Sequence, residues 1–263
     1  MARVRLDSLL AERGLFPSRS RAAAAVIAGD VHLGPGRRRA EKPGQLVAAD
    51  VELDVAAPAR YVSRGGVKLA NALEALEIEV ADRRALDVGA STGGFTDCLL
   101  QRRAAYVIAL DVAYGELAWT LREDPRVTVI ERVNARALEP GKLPYHPDLI
   151  VADVSFISLA KILPAVLACA AERFDALVMV KPQFEVGRER IGKGGVVRDP
   201  ALRREAILGV AAAAREQGAA VLGFAASGLP GPAGNRETFV HLADHGRDRA
   251  LRDLDAAVSA VEP

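Results

Sequence analysis

Five polar residues that could do chemistry lie at the ends of apolar runs in this 263-residue chain: Asp87, Asp111, Asn134, Asp153 and Lys181. Short apolar runs bounded by turns are typical of buried parallel strands. Ligands bind such sheets at the carboxyl ends of the strands, so we expect these side chains at one edge. Any one of them alone could be structural. Buried charges are costly unless paired, and their convergence therefore predicts a ligand site.

The turn at residues 89–94 reads Gly-Ala-Ser-Thr-Gly-Gly and separates a predicted strand from a predicted helix. Its glycines let the backbone approach a ligand, and the N–H groups of the helix start would face that ligand. The spacing is not G-x-G-x-x-G, which favours a small nucleoside-type ligand over a pyrophosphate and argues against a nicotinamide dehydrogenase. Asp111, about 20 residues beyond the turn, could accept both ribose hydroxyls. The alternative is a tight turn with no ligand.

Strands and helices alternate from residue 85 onward. Strands are predicted at 85–88, 106–110, 127–131, 148–152, 176–180, 220–224 and 238–242, and helices at 67–76, 94–103, 114–123, 158–172 and 201–217. This alternation predicts an α/β fold with a doubly wound, mostly parallel sheet. An antiparallel last strand would bring Glu237 to the same edge. We expect Tyr114 and Trp119 to pack in their helix, with base stacking as the alternative. Lys68 lies in the first turn of its predicted helix, where a cation is slightly unfavourable, and solvation is the common explanation for such a lysine.

Residues 1–60 have a different pattern, with two short helices followed by short strands, which predicts a small α+β unit. Up to Lys42 this segment holds nine basic and four acidic residues, including Arg37-Arg38-Arg39. Arginines on a turn and at helix starts suit phosphate contacts, which favours nucleic-acid binding. A solvated basic face is the alternative.

The composition of the chain argues against several other classes of protein. Half of the residues are hydrophobic and the net charge is +1. Cys98 and Cys169 are far apart in apolar helical settings, so we expect two buried thiols, no metal site and a reducing cytoplasm. Neither a signal peptide nor a long apolar span is visible, which argues against a membrane protein. The basic, glycine-containing segment 182–200 is interpreted as a lid over a polyanion or as a flexible surface loop.

The N-terminal segment resembles the RNA-binding domain named after ribosomal small-subunit protein four. The resemblance covers roughly residues 3–50 and lies in Arg5-Leu6-Asp7, Gly14-Leu15, Ser18-Arg19-Ser20 and Gly29. The sequence departs from the family pattern after Leu33, where Gly34-Pro35-Gly36 replaces the usual small polar turn and precedes the arginine run. The resemblance implies RNA contacts, for which the candidates are Arg5, Arg19, Arg21, Arg37, Arg38 and Arg39.

Residues 61–242 resemble the TlyA family, cytidine 2′-O-methyltransferases of ribosomal RNA with an FtsJ-like catalytic domain. The resemblance rests on long runs, among them Asp87–Thr96, Ala113–Trp119, Asp153–Ser158, Val180–Gly187 and Pro230–Asn235. It implies a Rossmann-like class I methyltransferase fold with a seven-stranded, mostly parallel sheet. The implied boundaries are an RNA-binding domain at 1–57, a linker at 58–63 and a methyltransferase domain at 64–263.

The resemblance also assigns roles. The FtsJ-like catalytic set falls on Lys68, Asp153, Lys181 and Glu237. A ribose 2′-hydroxyl is a poor nucleophile that must lose its proton. Burial or a neighbouring cation lowers the pKa of a lysine amine, so Lys181 is the candidate base, with Asp153 and Glu237 orienting the two amines. S-adenosylmethionine is the implied cofactor; its candidate contacts are Asp87, Gly89, Ser91, Thr92, Gly93, Asp111, Val112, Asn134 and Asp153.

Further RNA contacts are expected from Arg64, Phe156, Arg188 and Lys193. Phe156 could stack a flipped cytosine or pack in the core. The expected partner is ribosomal RNA within ribosomal subunits. The residues alone do not specify the cytidine, the subunit or the oligomeric state. The alternative is a non-catalytic, ribosome-binding factor with a vestigial methyltransferase fold. A pore-forming haemolysin is a further alternative, but no amphipathic or long apolar segment supports it.

Overall fold

Two compact units divide the chain, Met1–Ala59 and Arg60–Pro263. The computed structural model describes residues 3–56 and 59–262. Part of the expected linker 58–63 therefore lies outside the described residues, as do residues 1, 2, 57 and 263 of the expected domains. Residues 60–63 belong to the second unit.

The first unit is built from two helices and two small sheets. Its helices are α1 (Leu6–Glu12) and α2 (Arg19–Ala28), and its strands are β1 (Arg3–Arg5), β2 (Val31–Leu33), β3 (Arg38–Arg39), β4 (Leu46–Ala48) and β5 (Leu53–Val55). β1 pairs with β4, and the order of the other sheet is β3-β2-β5. The Ser18 hydroxyl caps α2 and left-handed Gly29 ends it. Leu6, Leu10 and Val31 are fully buried in its core.

A seven-stranded sheet forms the centre of the second unit. Its strands are β6 (Arg84–Val88), β7 (Tyr106–Leu110), β8 (Val127–Ile130), β9 (Leu149–Ala152), β10 (Asp175–Val180), β11 (Ala220–Ala226) and β12 (Thr238–Ala243). The order is β11-β12-β10-β9-β6-β7-β8. β12 is antiparallel to both of its neighbours, and the other strands share one direction. The predicted mostly parallel sheet of seven strands is confirmed.

Helices cover both faces of this sheet. They are α3 (Arg64–Ala75), α4 (Gly94–Gln101), α5 (Trp119–Arg122), α6 (Leu163–Ala168), α7 (Pro200–Glu216) and α8 (Leu254–Val261). Leu177 and Met179 of β10 pack with α3 and α4, whereas Val178 and Val180 pack with α6, α7 and α8. Because both faces are covered, β9 and β10 are buried at every position, which explains their continuous apolar sequence.

Two predicted helices are much shorter than expected. In place of a helix over 114–123, only Trp119–Arg122 is helical, because the backbone before it bonds to carboxylates instead. The Ala113 N–H donates to Asp111, and the N–H of left-handed Gly115 donates to Glu131. The predicted helix 158–172 is a 3-10 turn at Leu159–Lys161 followed by α6, which has a proline in its first turn.

Candidate active site

The expected site residues converge on one edge of the sheet. Gly89, Asp111, Asp153 and Lys181 each come directly after a parallel strand. Glu237 directly precedes β12, whose first residue, Thr238, pairs with Val180 at the end of β10. The antiparallel direction of β12 therefore returns Glu237 to the carboxyl edge, as the sequence suggests.

Two lysine–carboxylate pairs lie at this edge. Lys68 Nζ is 2.5 Å from Glu237 Oε2, and the two side chains are 7% and 1% exposed. Lys181 Nζ forms an ion pair with Asp153 Oδ1 at 2.5 Å and donates a hydrogen bond to Ser155 Oγ at 3.0 Å. The expectation that Lys68 is solvated is wrong, because its ammonium is buried and paired. The structure thus brings together Lys68, Asp153, Lys181 and Glu237.

Close helix packing explains how Lys68 reaches the interior. It lies in α3, whose N-terminal turn approaches the start of α4 through glycines. A Cβ on Gly94 would lie 2.2 Å from Ser63 Oγ, and one on Gly66 would lie 2.3 Å from the Tyr61 ring. Only glycine permits this approach, which sets the first turns of α3 against the glycine turn after β6.

The glycine turn is held by backbone contacts across the sheet edge. Gly89 has a φ of 85°, and a Cβ there would lie 2.6 Å from the Asp153 carbonyl oxygen. The Asp111 carboxylate accepts the Ser91 N–H and the Ala113 N–H, each at 2.7 Å. Left-handed Gly93 caps α4 and packs against Leu121. These contacts fix the loop backbone where a ligand would meet it.

A cavity of about 490 Å³ opens beside this turn. Six of the residues expected to contact the cofactor line it, namely Gly89, Ser91, Asp111, Val112, Asn134 and Asp153. The cavity also exposes Glu116, which accepts a hydrogen bond from Ser91 Oγ at 3.2 Å. The lining combines apolar walls with a few convergent carboxylate and amide groups, which is typical of a site for a small polar organic ligand.

A second cavity, of about 470 Å³, adjoins the first. The two share Gly89, Ser91, Asp153 and Ser155 in their walls. The second is lined by both lysine–carboxylate pairs and by Thr92 and Arg64. A ligand in the first cavity and a second reactant near the lysines would therefore meet at Asp153.

Asp87 lies beneath the glycine turn and not in the wall of either cavity. Its side chain is completely buried and accepts a hydrogen bond from Thr96 Oγ1 at 2.7 Å. Burial raises the pKa of this carboxyl to about 7, with Thr96 opposing the shift. Asp87 thus supports the turn from below.

The residues expected to contact RNA in this unit differ in their surroundings. Phe156 is 91% exposed, so core packing is excluded for it. It has a left-handed backbone, φ 65°, and its ring lies 5.3 Å from that of Phe184. Arg64 donates to the Pro230 carbonyl at 2.5 Å. Arg188 and Lys193 are exposed in the segment 182–200.

That segment is anchored at several points. Asn235, which is buried, donates to the Gly195 carbonyl and accepts the Val197 N–H. Arg190 pairs with Glu205 on α7 through two hydrogen bonds of 2.5 Å. Because Arg190, Gly195 and Val197 are all held by these contacts, the segment is tethered along its length, which does not favour its interpretation as a flexible surface loop.

In the first unit, four of the six candidate arginines contact acceptors of their own unit. Arg5 donates to Asp7 through two hydrogen bonds, and Arg19 lies 3.5 Å from the same carboxylate. Arg37 pairs with Asp54 at 2.6 Å, and Arg39 donates to the Ala28 carbonyl. Arg21 and Arg38 are exposed.

Sequence reasoning missed Ser155, Glu116 and Glu185. Ser155 holds Lys181, and Glu116 lines the first cavity. Glu185 accepts hydrogen bonds from Ser158 Oγ at 2.6 Å and from the Leu159 N–H at 2.9 Å. All three lie inside the runs that carry the family resemblance, but a lone serine or glutamate has no periodicity that would single it out.

Within residues 3–56 and 59–262, no group of three or more His, Cys, Asp or Glu side chains could hold a metal ion. No helix in those ranges has the length and apolar character needed to cross a membrane.

Comparisons with known proteins agree with this geometry. The FtsJ-like methyltransferase family model matches residues 61–244. The chain is 51% identical over 260 residues to the 16S/23S rRNA (cytidine-2′-O)-methyltransferase TlyA of Mycobacterium tuberculosis, covering 97% of this chain and 96% of the relative. It is 36% identical to Hemolysin A of Brachyspira hyodysenteriae, covering 91% and 99% of the two chains.

A solved structure gives the same relationship in three dimensions. The Streptococcus thermophilus protein described as "Putative hemolysin" superposes with a TM-score of 0.74 at 38% identity, over 99% of this chain and 96% of that one. The second unit therefore has the FtsJ-like, Rossmann-type methyltransferase fold, and the chain belongs to the TlyA family of ribosomal RNA methyltransferases.

Proposed function

We propose that the protein transfers a methyl group from S-adenosylmethionine to the ribose 2′-hydroxyl of a cytidine in ribosomal RNA, presented within a ribosomal subunit. The observation that carries this proposal is the pair of lysine–carboxylate contacts in a cavity that joins a second, nucleoside-sized cavity. The Mycobacterium tuberculosis relative, a 16S/23S rRNA (cytidine-2′-O)-methyltransferase, supplies the substrate class. Such a substrate would place the reaction in the cytoplasm, where ribosomal subunits are found.

The first cavity fits the cofactor in its chemistry. Gly89 supplies backbone that a side chain would block, and the Asp111 carboxylate faces the cavity as an acceptor for ribose hydroxyls. Gly89, Ser91, Thr92 and Gly93 would hold the methionine part, supported by Asp87 beneath them. Val112 and Asn134 would line the adenine side. When bound, S-adenosylmethionine supplies an electrophilic methyl group.

Lys181 is suited to receive the proton of the 2′-hydroxyl. As an amine, Nζ would take that proton while the oxygen attacks the methyl group. The resulting ammonium is stabilised by Asp153 at 2.5 Å and held in direction by Ser155. Lys68, fixed by Glu237, adds positive charge to the same cavity, where negative charge develops on the oxygen.

RNA would be bound by both units. In the first unit the candidates are Arg5, Arg19, Arg21, Arg37, Arg38 and Arg39, and in the second Arg64, Arg188 and Lys193. Phe156 presents its exposed ring at the first cavity, where a flipped cytosine could stack on it. Two ion pairs in one cavity are more than a vestigial, non-catalytic fold requires, since removing charges from water is costly even when they are paired.

The test is transfer of labelled methyl from S-adenosylmethionine to unmodified ribosomal subunits, the small and the large tested separately. Label in ribose of one or both subunits is expected. Lys181→Ala should reduce transfer by about a hundredfold or more, because proton transfer contributes roughly 10²–10⁴ to such reactions. Cofactor binding, measured by calorimetry, should remain near that of the wild type.

The matched control is Lys142→Ala. Lys142 is an exposed lysine that pairs with Glu139, and neither residue lines either cavity. This substitution should leave transfer unchanged. Full activity in Lys181→Ala would contradict the role of Lys181. No label from the folded wild-type protein on either subunit would contradict the enzymatic function itself.

A further inference from the structure

An aromatic patch on the second unit is exposed in a way that the sequence did not predict. It consists of Val112, Tyr114, Trp119 and Arg132. Val112 is 70% exposed, Tyr114 67% and Trp119 71%. Tyr114 and Trp119 were expected to pack within a helix. Val112 follows the carboxyl end of β7 and Arg132 that of β8, so the patch lies at the same edge of the sheet as the active site.

The patch is held by a network of backbone contacts. The Arg132 N–H donates to the Ala113 carbonyl at 3.2 Å, and the Gly115 N–H donates to Glu131 at 2.9 Å. Arg132 has a left-handed backbone, φ 60°, and its guanidinium carbon lies 4.2 Å from the centre of the Tyr114 ring. An aromatic side chain that is already ordered loses little conformational freedom when a partner stacks on it.

The chemistry of the patch fits an unpaired nucleotide. Aromatic rings and guanidinium planes stack on bases, and a guanidinium also donates to phosphate oxygens. A purely apolar protein surface would bury Arg132 without a matching negative charge, which is unfavourable. The combination of two exposed rings with a guanidinium therefore favours RNA.

The position of the patch relative to the cofactor cavity supports the same partner. Val112 belongs to the patch and also lines the first cavity. The methyl acceptor must reach this edge of the sheet, and the Ala118 N–H donates to the Thr92 carbonyl of the glycine turn at 3.2 Å, which sets Trp119 beside that edge. The patch would extend the RNA-binding surface beyond the reacting nucleotide.

We propose that the aromatic patch stacks an unpaired base of the ribosomal RNA substrate near the methylated cytidine, with Arg132 contacting the adjacent phosphate. This inference rests on the proposed function, since it assumes an RNA substrate. It assigns to Tyr114 and Trp119 a role in binding RNA and none in the transfer step.

The first test compares Tyr114→Ala and Trp119→Ala in the methyl-transfer assay with ribosomal subunits. Each should raise KM for the subunit by about tenfold, in keeping with the loss of one stacked base. The kcat at saturating subunit and the cofactor affinity measured without RNA should not change. Trp119→Phe, which keeps an aromatic ring, should recover most of the wild-type KM.

Tyr106→Ala is the matched control. Tyr106 is also an exposed tyrosine, at 53%, but it begins β7 and so lies at the amino edge of the parallel strands. Its removal should leave KM for the subunit unchanged. A similar rise of KM in Tyr106→Ala would show a general effect of losing surface aromatics and would overturn the proposal.

A second readout uses the single tryptophan of the chain, Trp119. Protein-free ribosomal RNA transcript should quench its fluorescence and protect it from acrylamide. Absence of quenching while the RNA is bound, or wild-type KM in both alanine variants, would overturn the patch assignment and leave the proposed function intact. If Trp119→Ala instead converts a dimer to a monomer in sedimentation, the patch joins two copies and the RNA assignment is wrong. Failure of the wild-type protein to methylate any subunit would instead overturn the proposed function.

Discussion

At the scale of single residues, Asp87 links the glycine turn to the pH dependence of stability. Its carboxyl is fully buried, its Oδ1 has no hydrogen-bond partner among the described residues, and burial raises its pKa to about 7. In the unfolded chain an aspartate titrates near ~3.9. The folded state therefore binds this proton more tightly, so its contribution to the free energy of unfolding is greatest at low pH and is lost as pH rises from about 4 to about 7.

The size of this effect is on the order of 4 kcal/mol, from about three pKa units at 1.36 kcal/mol each. Asp87→Asn cannot ionise and should remove this decline. Thermal unfolding at pH 5, 6, 7 and 8 would measure it, with Asp255→Asn, at an exposed position on α8, as the control. Parallel pH profiles for wild type and Asp87→Asn would contradict the buried, protonated carboxyl.

At the scale of elements, two loops at the sheet edge brace each other. The segment after β9 carries Asp153 and Phe156, and the segment after β10 carries Lys181. Glu185 joins them, since it accepts hydrogen bonds from Ser158 and Leu159, and Phe184 packs near Phe156. The Lys181–Asp153 pair is thus held by contacts on both sides of it.

Removing this brace should affect the reaction more than cofactor binding. Glu185→Ala is expected to lower kcat by about tenfold or more, because small displacements of reacting groups are costly. Glu185→Gln keeps the acceptor for the Leu159 N–H and should stay within a few-fold of wild type. KM for S-adenosylmethionine should change little in either. Equal loss of activity in both variants would indicate that the charge of Glu185, and not its bracing contacts, matters.

The strands and helices of the second unit show which elements the sequence can predict. The seven strands were placed within one or two residues, because buried parallel strands leave short apolar runs between turns. The prediction of a helix at 114–123 was wrong for most of that range, because the Asp111 and Glu131 carboxylates accept hydrogen bonds from the backbone N–H groups of Ala113 and Gly115. The Glu131 contact joins the region after β7 to the end of β8, 16 residues further on, and no local pattern encodes it.

The burial of Lys68 and the exposure of Trp119 were missed for the same reason. Lys68 is buried because Glu237, 169 residues away in the chain, neutralises it. Trp119 starts a helix of only four residues, too short to bury a ring against its own neighbours. The positions of Asp153, Lys181 and Glu237 could be predicted from the strand ends, but the pairing of Lys68 with Glu237 and the proposed catalytic roles came only from the resemblance, since charge pairing over such distances has no sequence spacing.

At the scale of the whole molecule, the near-zero net charge conceals an uneven distribution. The first 42 residues hold nine basic and four acidic residues in a chain whose net charge is +1. All four of Arg5, Arg21, Arg37 and Arg38 are exposed; Arg5 and Arg37 pair with Asp7 and Asp54, whereas Arg21 and Arg38 form no ion pair among the described residues. These two unpaired arginines should therefore contribute to RNA affinity with the least cost to the fold of the first unit.

This distribution predicts the salt dependence of RNA binding. Each phosphate contact adds roughly 0.7–0.9 to the slope of log affinity against log salt concentration. Arg21→Ala and Arg38→Ala should each reduce that slope by about one, measured by filter binding of ribosomal RNA between low and moderate KCl. Arg215→Ala removes the same charge from α7 in the second unit and should leave the slope nearly unchanged. An equal reduction in all three variants would mean that total charge, and not the basic surface of the first unit, governs binding. A reduction confined to Arg21 and Arg38 would assign the electrostatic part of RNA recognition to the first unit.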